Sequence, residues 1–442
     1  MTGQPVTILG GGPAGLAAGY FAQKRGIPFT IYEASERLGG HAVTYRYGPF
    51  LYDSGAHRFH DKDPEITNEI QQLLGLNLHR VDARSQIYSA GRFVDFPLSP
   101  LNLLADLGVL TTSRATLEVV QARLKRKPKV VTFKEYALVK YGPTIASRFL
   151  LNYSEKLWGL PSNQLSPLIA GRRLQGLNMR AMITEAFWGR RAHTAHLEGT
   201  FYYPRLGIGM ITDALAASCG GEHIRTQARI TRLFHDQKRI VAIEVNGRER
   251  VPMAQVVSTL PLSLLIQILV PPAEQKLLAL AAQLRYRNVL LVAMFVNRAS
   301  VSRNASVYFP DGGVPFTRLY EPKNRSEAMA PADQTCLAAE LPCQSDDALW
   351  AMSDAQVLAL VQEHLIRLGL VTSSELIGGV IHRLTRAYPI LERGVEQTTS
   401  ALAHYLRRFE NLRIMGRNGR FVYTHLHDLL REGKELMEME CP

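Results

Sequence analysis

A short apolar strand followed by a glycine-rich turn constrains the fold of this chain more than any other feature. Residues 6–9 predict a strand, residues 10–15 have Gly-x-Gly-x-x-Gly spacing, and the small residues that follow predict a helix. A second strand at residues 27–33 ends in Glu33, which is placed to hold the hydroxyl groups of a ribose. This strand–helix–strand pattern is typical of a Rossmann-like unit that binds a dinucleotide.

The residues of this turn have different physical roles. Gly10 permits the tight turn, Gly12 lets the backbone approach a pyrophosphate, and Gly15 lets the helix pack closely against the strand. Pro13 and Ala14 open the helix, whose N-terminus supplies partial positive charge to an anion. We therefore predict that all five residues contact the cofactor.

The composition limits the class of protein. A length of 442 residues predicts two or three domains, and 46% hydrophobic with 20% charged residues excludes a disordered or fibrous chain. The formal net charge of +12 favours anionic partners: nucleic acid, acidic lipid, or phosphorylated or carboxylated substrates. The sequence contains no recognisable nucleic-acid module and no interleaved basic and aromatic stripe, so we expect no nucleic-acid partner.

The cysteines and the termini bear on metal binding and location. The four cysteines, at positions 219, 336, 343 and 441, show no Cys-x-x-Cys spacing and no neighbouring histidine cluster, so we predict no metal site. Scattered cysteines fit a reducing compartment. We see no signal peptide, and apolar stretches such as residues 260–270 are too short to cross a bilayer. We therefore expect a cytoplasmic protein.

A second glycine motif follows the first unit. Glu33, Arg37, Gly39, Gly40 and Thr44 form Glu-x-x-x-Arg-x-Gly-Gly-x-x-x-Thr. Adjacent glycines let the chain lie against a flat ligand, and the arginine can reach a phosphate. With the first turn, this start resembles the FAD-binding signature of the amine oxidase and protoporphyrinogen oxidase superfamily. The resemblance implies FAD as the cofactor.

Later segments extend the resemblance, which is strongest to the UDP-galactopyranose mutase-like flavoproteins. His57 and His60 lie in a segment similar to the Gly-x-His-x-Phe-His loop that borders the flavin ring in that family. Tyr153 and Trp158 lie in a segment that resembles its Tyr-x-x-Lys-x-Trp-Gly motif. An arginine-bearing segment follows, with Arg172, Arg173 and Arg180.

The second half of the chain continues in the family's order. Tyr203 belongs to a Tyr-Pro-x-x-Gly-x-Gly segment, and Arg318 ends a segment similar to the family's Pro-Tyr-Thr-Arg. Gly416, Arg417 and Tyr423 match its closing Gly-Arg-x-x-x-x-x-Tyr motif. The chain departs from the mutases two residues later, where they usually carry a carboxylate and this chain has a histidine.

The resemblance implies a set of site residues. Catalytic roles are implied for His57, His60, Trp158, Arg318 and Tyr423. Substrate contacts are implied for Tyr153, Arg173, Arg180, Tyr203, Arg318 and Tyr388. Besides the two glycine motifs, cofactor contacts are implied for Glu33, Arg37, His57, Ile230, Gly416, Arg417, Tyr423 and His425. For Arg318 an ion pair with an acid such as Glu321 is the alternative interpretation.

The predicted architecture is α/β. We expect a discontinuous, Rossmann-like FAD-binding domain at residues 1–98, 204–262 and 395–442. Between its parts we expect an inserted helical cap at residues 99–203 and an antiparallel substrate-binding sheet with helices at residues 263–394. No second strand–Gly-x-Gly-x-x-Gly–helix unit occurs, so a dedicated NAD(P)H domain is not indicated.

Three function classes remain open. The first is an FAD-dependent oxidoreductase that takes a hydride from an anionic small molecule and passes the electrons to dioxygen or another acceptor. The second is a mutase-like isomerase of a nucleotide-sugar, with reduced flavin as the nucleophile. The third is a non-catalytic flavoprotein that binds a membrane surface or a polyanion, for which the basic run at residues 123–129 is the candidate contact.

Overall fold

The computed structural model describes residues 4–96, 108–115, 117–118, 121, 130–170 and 200–440. Arg172, Arg173, Arg180 and the basic run at residues 123–129 lie outside the described residues.

The strands are β1 Val6–Leu9, β2 Phe29–Tyr32, β3 Thr44–Tyr47, β4 Phe50–Asp53, β5 Leu78–Asp82, β6 Ser85–Ser89, β7 Arg92–Phe96, β8 Thr200–Pro204, β9 Ile224–Arg225, β10 Ile230–His235, β11 Ile240–Val245, β12 Glu249–Pro252, β13 Gln255–Ser258, β14 Leu269–Val270, β15 Tyr286–Val296, β16 Ser306–Tyr308, β17 Arg318–Tyr320, β18 Thr335–Cys343, β19 Leu376–Pro389 and β20 Leu412–Ile414. The α-helices are α1 Pro13–Lys24, α2 Pro64–Leu74, α3 Phe133–Ile145, α4 Asn152–Trp158, α5 Gly209–Cys219, α6 Leu262–Gln267, α7 Gln275–Ala282, α8 Ala348–Ala351, α9 Asp354–Arg367, α10 Val395–Leu406 and α11 Leu426–Glu440.

A five-stranded parallel sheet, in the order β20-β13-β1-β2-β9, contains the N-terminal unit. Every residue of β1 is buried, as its continuous apolar run requires of a central parallel strand. The strands come from three distant stretches of the chain, and their carboxyl ends meet at one edge. There the amide of Thr259 donates to the carbonyl of Leu9 (2.9 Å), and the amide of Met415 donates to that of Ser258 (3.0 Å). A ligand of such a sheet binds outside this edge.

A seven-stranded sheet, in the order β19-β15-β18-β17-β16-β6-β7, forms the second layer. Residues 84–96 alternate around Gly91, a pattern that predicts a hairpin, and Ser85 pairs with Phe96 across β6 and β7. This hairpin joins the seven-stranded sheet, where β6 runs parallel to β16. Within residues 263–394, where the sequence predicts an antiparallel sheet, the neighbouring strands of β15 to β19 all pair antiparallel. A smaller sheet, β12-β11-β10-β14, lies beside them.

The helices follow local signals in the sequence. Residues 62–75 have a helical pattern and form α2, where the side chain of Asp63 accepts from the amide of Ile66 (3.2 Å). Residues 354–369 have the pattern of an amphipathic helix and form α9, which begins with a capping box at Ser353. Its apolar face packs into the core of the seven-stranded sheet.

The segment that carries Tyr153 and Trp158 is irregular. The end of α3 is kinked at Gly142, before Pro143, and a π-helical stretch, Ala146–Leu151, leads into α4. Gly159 ends α4 in the left-handed conformation (φ 70°). A Cβ atom at Gly159 would lie 2.5 Å from the guanidinium of Arg287, so this position accepts only glycine.

Candidate active site

The glycine turn forms an open cradle at the start of α1. Gly10 has φ +106°, and a Cβ atom at Gly15 would lie 1.9 Å from the carbonyl oxygen of Gly10. Strand and helix therefore pack too closely for any other residue at position 15. No side chain caps α1 at Gly12, where an added Cβ atom would meet only the Cα atom of Gly40, at 3.9 Å. The first turn of the helix is thus left for an anion.

The second glycine motif packs directly onto the first. The amide of Gly39 donates to the carbonyl of Gly11 (2.9 Å), and Gly40 has φ +53°. Arg37 donates from Nη2 to the carbonyl of Thr44 (2.5 Å), so it braces the segment that connects this motif to β3. The two motifs are separate segments of the sequence. In the fold they form one surface.

Glu33 lies where β2 ends and is held by backbone and side-chain donors. Its Oε2 atom accepts from the amide of Gly11 (2.7 Å), and its Oε1 atom accepts from the amide (2.9 Å) and hydroxyl (2.6 Å) of Ser35. The amide of Ala228 donates to the carbonyl of Glu33 (2.8 Å), which brings the start of β10, at Ile230, towards the same edge. The carboxylate therefore has a fixed orientation beside the cradle.

The closing motif reaches the same cradle from the C-terminal part of the chain. Gly416 has φ +85°, and a Cβ atom there would lie 3.1 Å from the Cβ atom of Ala14. Its amide donates to Glu432 (3.0 Å). Arg417 donates from Nη2 to the carbonyl of Thr424 (2.8 Å), while its buried Nε atom has no partner among the described residues.

Three aromatic rings, which we call the ring cluster, gather beside Arg417: Trp158, Tyr388 and Tyr423. The centroid of Trp158 lies 6.1 Å from that of Tyr388 and 6.4 Å from that of Tyr423, and the two tyrosine rings stack at 6.2 Å. The guanidinium of Arg417 lies 5.6 and 5.2 Å from the two tyrosine rings. A register shift in β19 precedes Tyr388, and such irregularities re-aim side chains next to functional sites.

Two partly buried histidines next to this region have strongly lowered pKa values and are neutral. Burial, and then the charge of Arg417, lower the pKa of His41 to about 4 and that of His57 to about 3. The hydroxyl of Ser54 donates to the carbonyl of His41 (2.7 Å), and it lies 3.2 Å from Nε2 of His57. Because that hydroxyl proton is already used, Nε2 of His57 carries the hydrogen and Nδ1 keeps its lone pair.

His60 and His425 continue the line of rings away from the cluster. Their centroids are 6.1 Å apart, and His425 lies 5.8 Å from Tyr423. Burial, followed by the charges of Arg58 and Lys62, lowers the pKa of His60 to about 3. The predicted residues His60, Tyr423 and His425 are thus brought together.

Arg318 forms a buried ion pair with Glu340. Its Nη2 atom lies 2.7 Å from each carboxylate oxygen, and its Nε atom lies 3.0 Å from Oε2. Burial opposes the charged guanidinium, but the charge of Glu340 keeps the pKa of Arg318 above its ordinary value. The alternative interpretation, an ion pair with an acid, therefore describes what the structure shows, although the acid is Glu340 and not Glu321. The carboxylate of Glu321 accepts from the hydroxyl of Thr335 (2.7 Å) and the amide of Ser302 (2.8 Å).

Other predicted residues lie outside the ring cluster. Tyr203 is fully buried, and its hydroxyl donates to Asp53 (2.5 Å), which gives it a structural contact in place of the implied substrate contact. Burial raises the pKa of Asp53. Ile230 opens β10 in the four-stranded sheet, and its side chain is buried in the core. Tyr153 packs edge-on against Tyr308, at 5.8 Å.

Sequence reasoning missed roles for four residues of this region. Glu340 gave no local signal, because its partner lies on another strand. His41 stands inside the second glycine motif, where an unexpected imidazole was a usable signal. Lys156 is the lysine of the Tyr-x-x-Lys-x-Trp-Gly motif. Its ammonium donates to the carbonyls of three residues in the 309–316 loop, at 2.7–3.0 Å. Arg325 is buried and donates to the carbonyl of His57 (2.8 Å).

Comparisons with known proteins agree on a flavoprotein. Residues 13–422 match the family described as flavin-containing amine oxidoreductases. The chain is similar to protoporphyrinogen oxidase 2 of Arabidopsis thaliana, with 28% identity over 136 residues that cover 30% of this chain and 27% of that protein. It therefore spans about a quarter of the length of this curated relative.

Solved structures resemble the whole fold. A reduced UDP-galactopyranose mutase superposes with a TM-score of 0.85 at 19% identity, covering 99% of this chain and 94% of that one. A putative protoporphyrinogen oxidase from Exiguobacterium sp. 255-15 superposes with a TM-score of 0.79 at 19% identity, covering 100% and 99%. At these identities the likeness establishes the fold.

FAD is the cofactor of the matched family, and the described residues fit it. The Gly12–Gly40 cradle, the uncapped first turn of α1 and the unpartnered Nε atom of Arg417 suit a pyrophosphate and the groups attached to it. Glu33 and Arg417 would hold the two ends of the cradle. These features come from four separate segments of the chain, which meet at the carboxyl edge of the parallel sheet.

The described residues contain neither a membrane-spanning helix nor a candidate metal cluster. In that part of the chain, no helix combines the length and the apolar character needed to cross a membrane. The same part contains no cluster of three or more histidine, cysteine, aspartate or glutamate side chains arranged for a metal ion.

Proposed function

The chain belongs to the flavin-containing amine oxidoreductase family, and from that premise we propose that it is an FAD-dependent oxidoreductase acting on an anionic small molecule. When bound, FAD supplies the acceptor for a hydride from a C–N or C–C unit. The electrons then pass to dioxygen or to another acceptor.

The proposal that the substrate is anionic rests on one observation, the positive electrostatic field around His57. The charges of Arg417, Arg318 and Arg325 all lower the pKa of His57, after burial. Glu340 offsets the charge of Arg318, and the buried Asp53 offsets part of the charge of Arg325, so three guanidinium groups face two carboxylates. A buried site with excess positive charge and neutral imidazoles favours a ligand that brings its own negative charge.

The residues around the ring cluster have distinct parts in this proposal. Trp158, Tyr388 and Tyr423 form an apolar wall for the reacting part of the substrate. Burial, and then the charge of Glu340, raise the pKa of Tyr388 to about 12, so its hydroxyl stays protonated and can donate a hydrogen bond. The lowered pKa of His57 keeps its imidazole neutral, so His57 adds no positive charge beside the substrate.

Anaerobic incubation with candidate anionic substrates, while the visible flavin absorbance is followed, tests the proposal. Carboxylated amines and porphyrinogens are suitable candidates. A substrate of an oxidoreductase bleaches the flavin without added reductant, and readmitted oxygen or another acceptor restores the colour. If no anionic candidate bleaches the flavin but neutral amines do, the anionic assignment is wrong.

A flavin-dependent isomerase of a nucleotide-sugar is the second candidate. It is supported by the guanidinium groups of Arg318 and Arg417, whose planar forks suit a pyrophosphate. The same anaerobic experiment separates it, because an isomerase leaves the oxidised flavin unbleached and turns over only after reduction with dithionite.

Location and membrane contact complete the proposal. Cys219, Cys336 and Cys343 are free thiols, which supports a reducing, cytoplasmic location.

Val109 and Leu110, which precede the basic run in the sequence, are 69% and 88% exposed, which supports a peripheral contact with a membrane. Sedimentation with vesicles of anionic phospholipid, against vesicles of neutral phospholipid, tests that contact. A protein that retains flavin but shows no turnover would favour the non-catalytic class.

A further inference from the structure

We propose that Glu340 is a specificity-determining residue: it is an internal counter-ion that occupies Arg318, and a substrate anion must compete with it. The inference rests on the proposed function, since it takes an anionic substrate as given. The proposal also narrows the substrate class. Only a substrate group with at least two negative charges competes well for Arg318 against the carboxylate of Glu340.

Strand register brings the two residues together. Arg318 opens β17 and Glu340 lies directly opposite it on β18, where the strands pair antiparallel. Their side chains are 13% and 4% exposed. Charge-assisted bonds of 2.7–3.0 Å at this burial hold the guanidinium plane in one orientation.

The pair uses only part of the guanidinium. Nε and Nη2 of Arg318 face Glu340, and Nη1 forms no hydrogen bond with any residue in the described ranges. The electrostatic surroundings of Arg318 include Tyr388, Tyr153 and Tyr308. The remaining donors therefore lie among the aromatic residues of the candidate site.

Glu340 also reaches the segment that carries His57. Its Oε1 atom accepts from the amide of Ala56 (2.7 Å), and a Cβ atom at Gly55 would lie 3.2 Å from that oxygen. The carboxylate is thus fixed from two sides, by the inserted sheet and by the loop next to the cofactor cradle. It cannot turn away from Arg318 without losing the bond to Ala56.

The physical consequence is a lowered affinity for simple anions. A substrate with a single carboxylate gains little binding free energy by replacing Glu340 at Arg318. Glu340 is an equivalent carboxylate, and because it is part of the same chain it loses no translational entropy when it pairs with Arg318. A phosphate, pyrophosphate or dicarboxylate brings further negative charge to Nη1 of Arg318. Glu340 therefore selects for multiply charged groups and keeps Arg318 from trapping small anions.

Glu321 provides a matched control. It is also buried (1% exposed) and also accepts several hydrogen bonds, but its partners are Thr335 and the amides of Val301 and Ser302. Glu321→Gln changes the net charge of the protein by the same amount as Glu340→Gln and does not touch Arg318.

The experiment is calorimetric titration of the holoprotein with inorganic pyrophosphate. Glu340→Gln keeps the side-chain shape and removes the competing charge, so pyrophosphate should bind at least about tenfold more tightly than to wild type. Glu321→Gln should change the affinity by less than about twofold. Combining Arg318→Met with Glu340→Gln should abolish the gain.

An unchanged or weaker affinity in Glu340→Gln would overturn the proposal, as would an equal gain in Glu321→Gln. If Glu340→Gln does not fold, Glu340→Asp loosens the pair by one methylene group and should give a smaller gain; no gain there also refutes it. Failure of the proposed function looks different: Glu340→Gln gains pyrophosphate affinity, yet no anionic substrate bleaches the flavin.

Discussion

Replacement of Gly12 by valine should remove FAD and leave the protein folded. Gly12 has φ −77° and ψ −177°, which valine adopts without strain, and an added Cβ atom would meet only the Cα atom of Gly40, at 3.9 Å. The protein alone therefore accommodates the side chain. The branched methyl groups occupy the cradle in front of the first turn of α1, where the pyrophosphate has to approach.

The two effects differ in size. The loss of glycine at the cap position costs about 1 kcal/mol of folding stability, because valine is a poor cap. Blocking two hydrogen bonds to a charged pyrophosphate costs about 3–6 kcal/mol, since each contributes about 1.5–3 kcal/mol. FAD affinity should fall by about 10²- to 10⁴-fold.

The assay compares the flavin-to-protein absorbance ratio of purified variants with the thermal melts of their apoproteins. Gly312→Val is the matched control, because a Cβ atom there meets nothing within 4 Å and the position lies in a distant loop. Gly15→Ala, with its contact of 1.9 Å, should instead destabilise the apoprotein. A folded Gly12→Val protein with full flavin content would refute this role of the turn.

Three further predictions follow from the site. FAD should be bound non-covalently, so acid precipitation should release all of the yellow colour, and colour in the pellet would contradict this. The folded state holds the pKa of His57 near 3 while its ordinary value is 6.5, so the unfolded state binds more protons between these values. The stability contributed by neutral His57 is thus complete above about pH 6.5 and falls by about 1.4 kcal/mol per pH unit as the pH drops towards 3. In urea unfolding at several pH values, His57→Gln should flatten this dependence, and an unchanged slope would count against a buried neutral imidazole. Arg318→Ala should lower the free energy of unfolding by about 3–5 kcal/mol, because it leaves Glu340 buried and unpaired. Arg318→Lys should recover part of that loss, and a melt of Arg318→Ala equal to wild type would show that the ion pair does not stabilise the fold.

The sequence by itself determined the cofactor-binding unit. The turn at residues 10–15, the acid at Glu33 and the motif at residues 37–44 act over short spans of chain, where spacing fixes geometry. Gly15 is an example. It lies so close to the carbonyl of Gly10 that no side chain fits, so the turn requires glycine at this position. The same holds for the caps of α2 and α9 and for the hairpin around Gly91.

The tertiary structure decided which side chains face each other. Sequence reasoning placed Arg318 in the site but could not identify Glu340 as its partner, because pairing between β17 and β18 depends on the register of two strands. Trp158 and Tyr388 meet for the same reason, since they lie 230 positions apart and only the tertiary packing of α4 and β19 brings their rings within 6.1 Å. Contacts between distant segments are set by burial and register over the whole molecule, which no local spacing encodes.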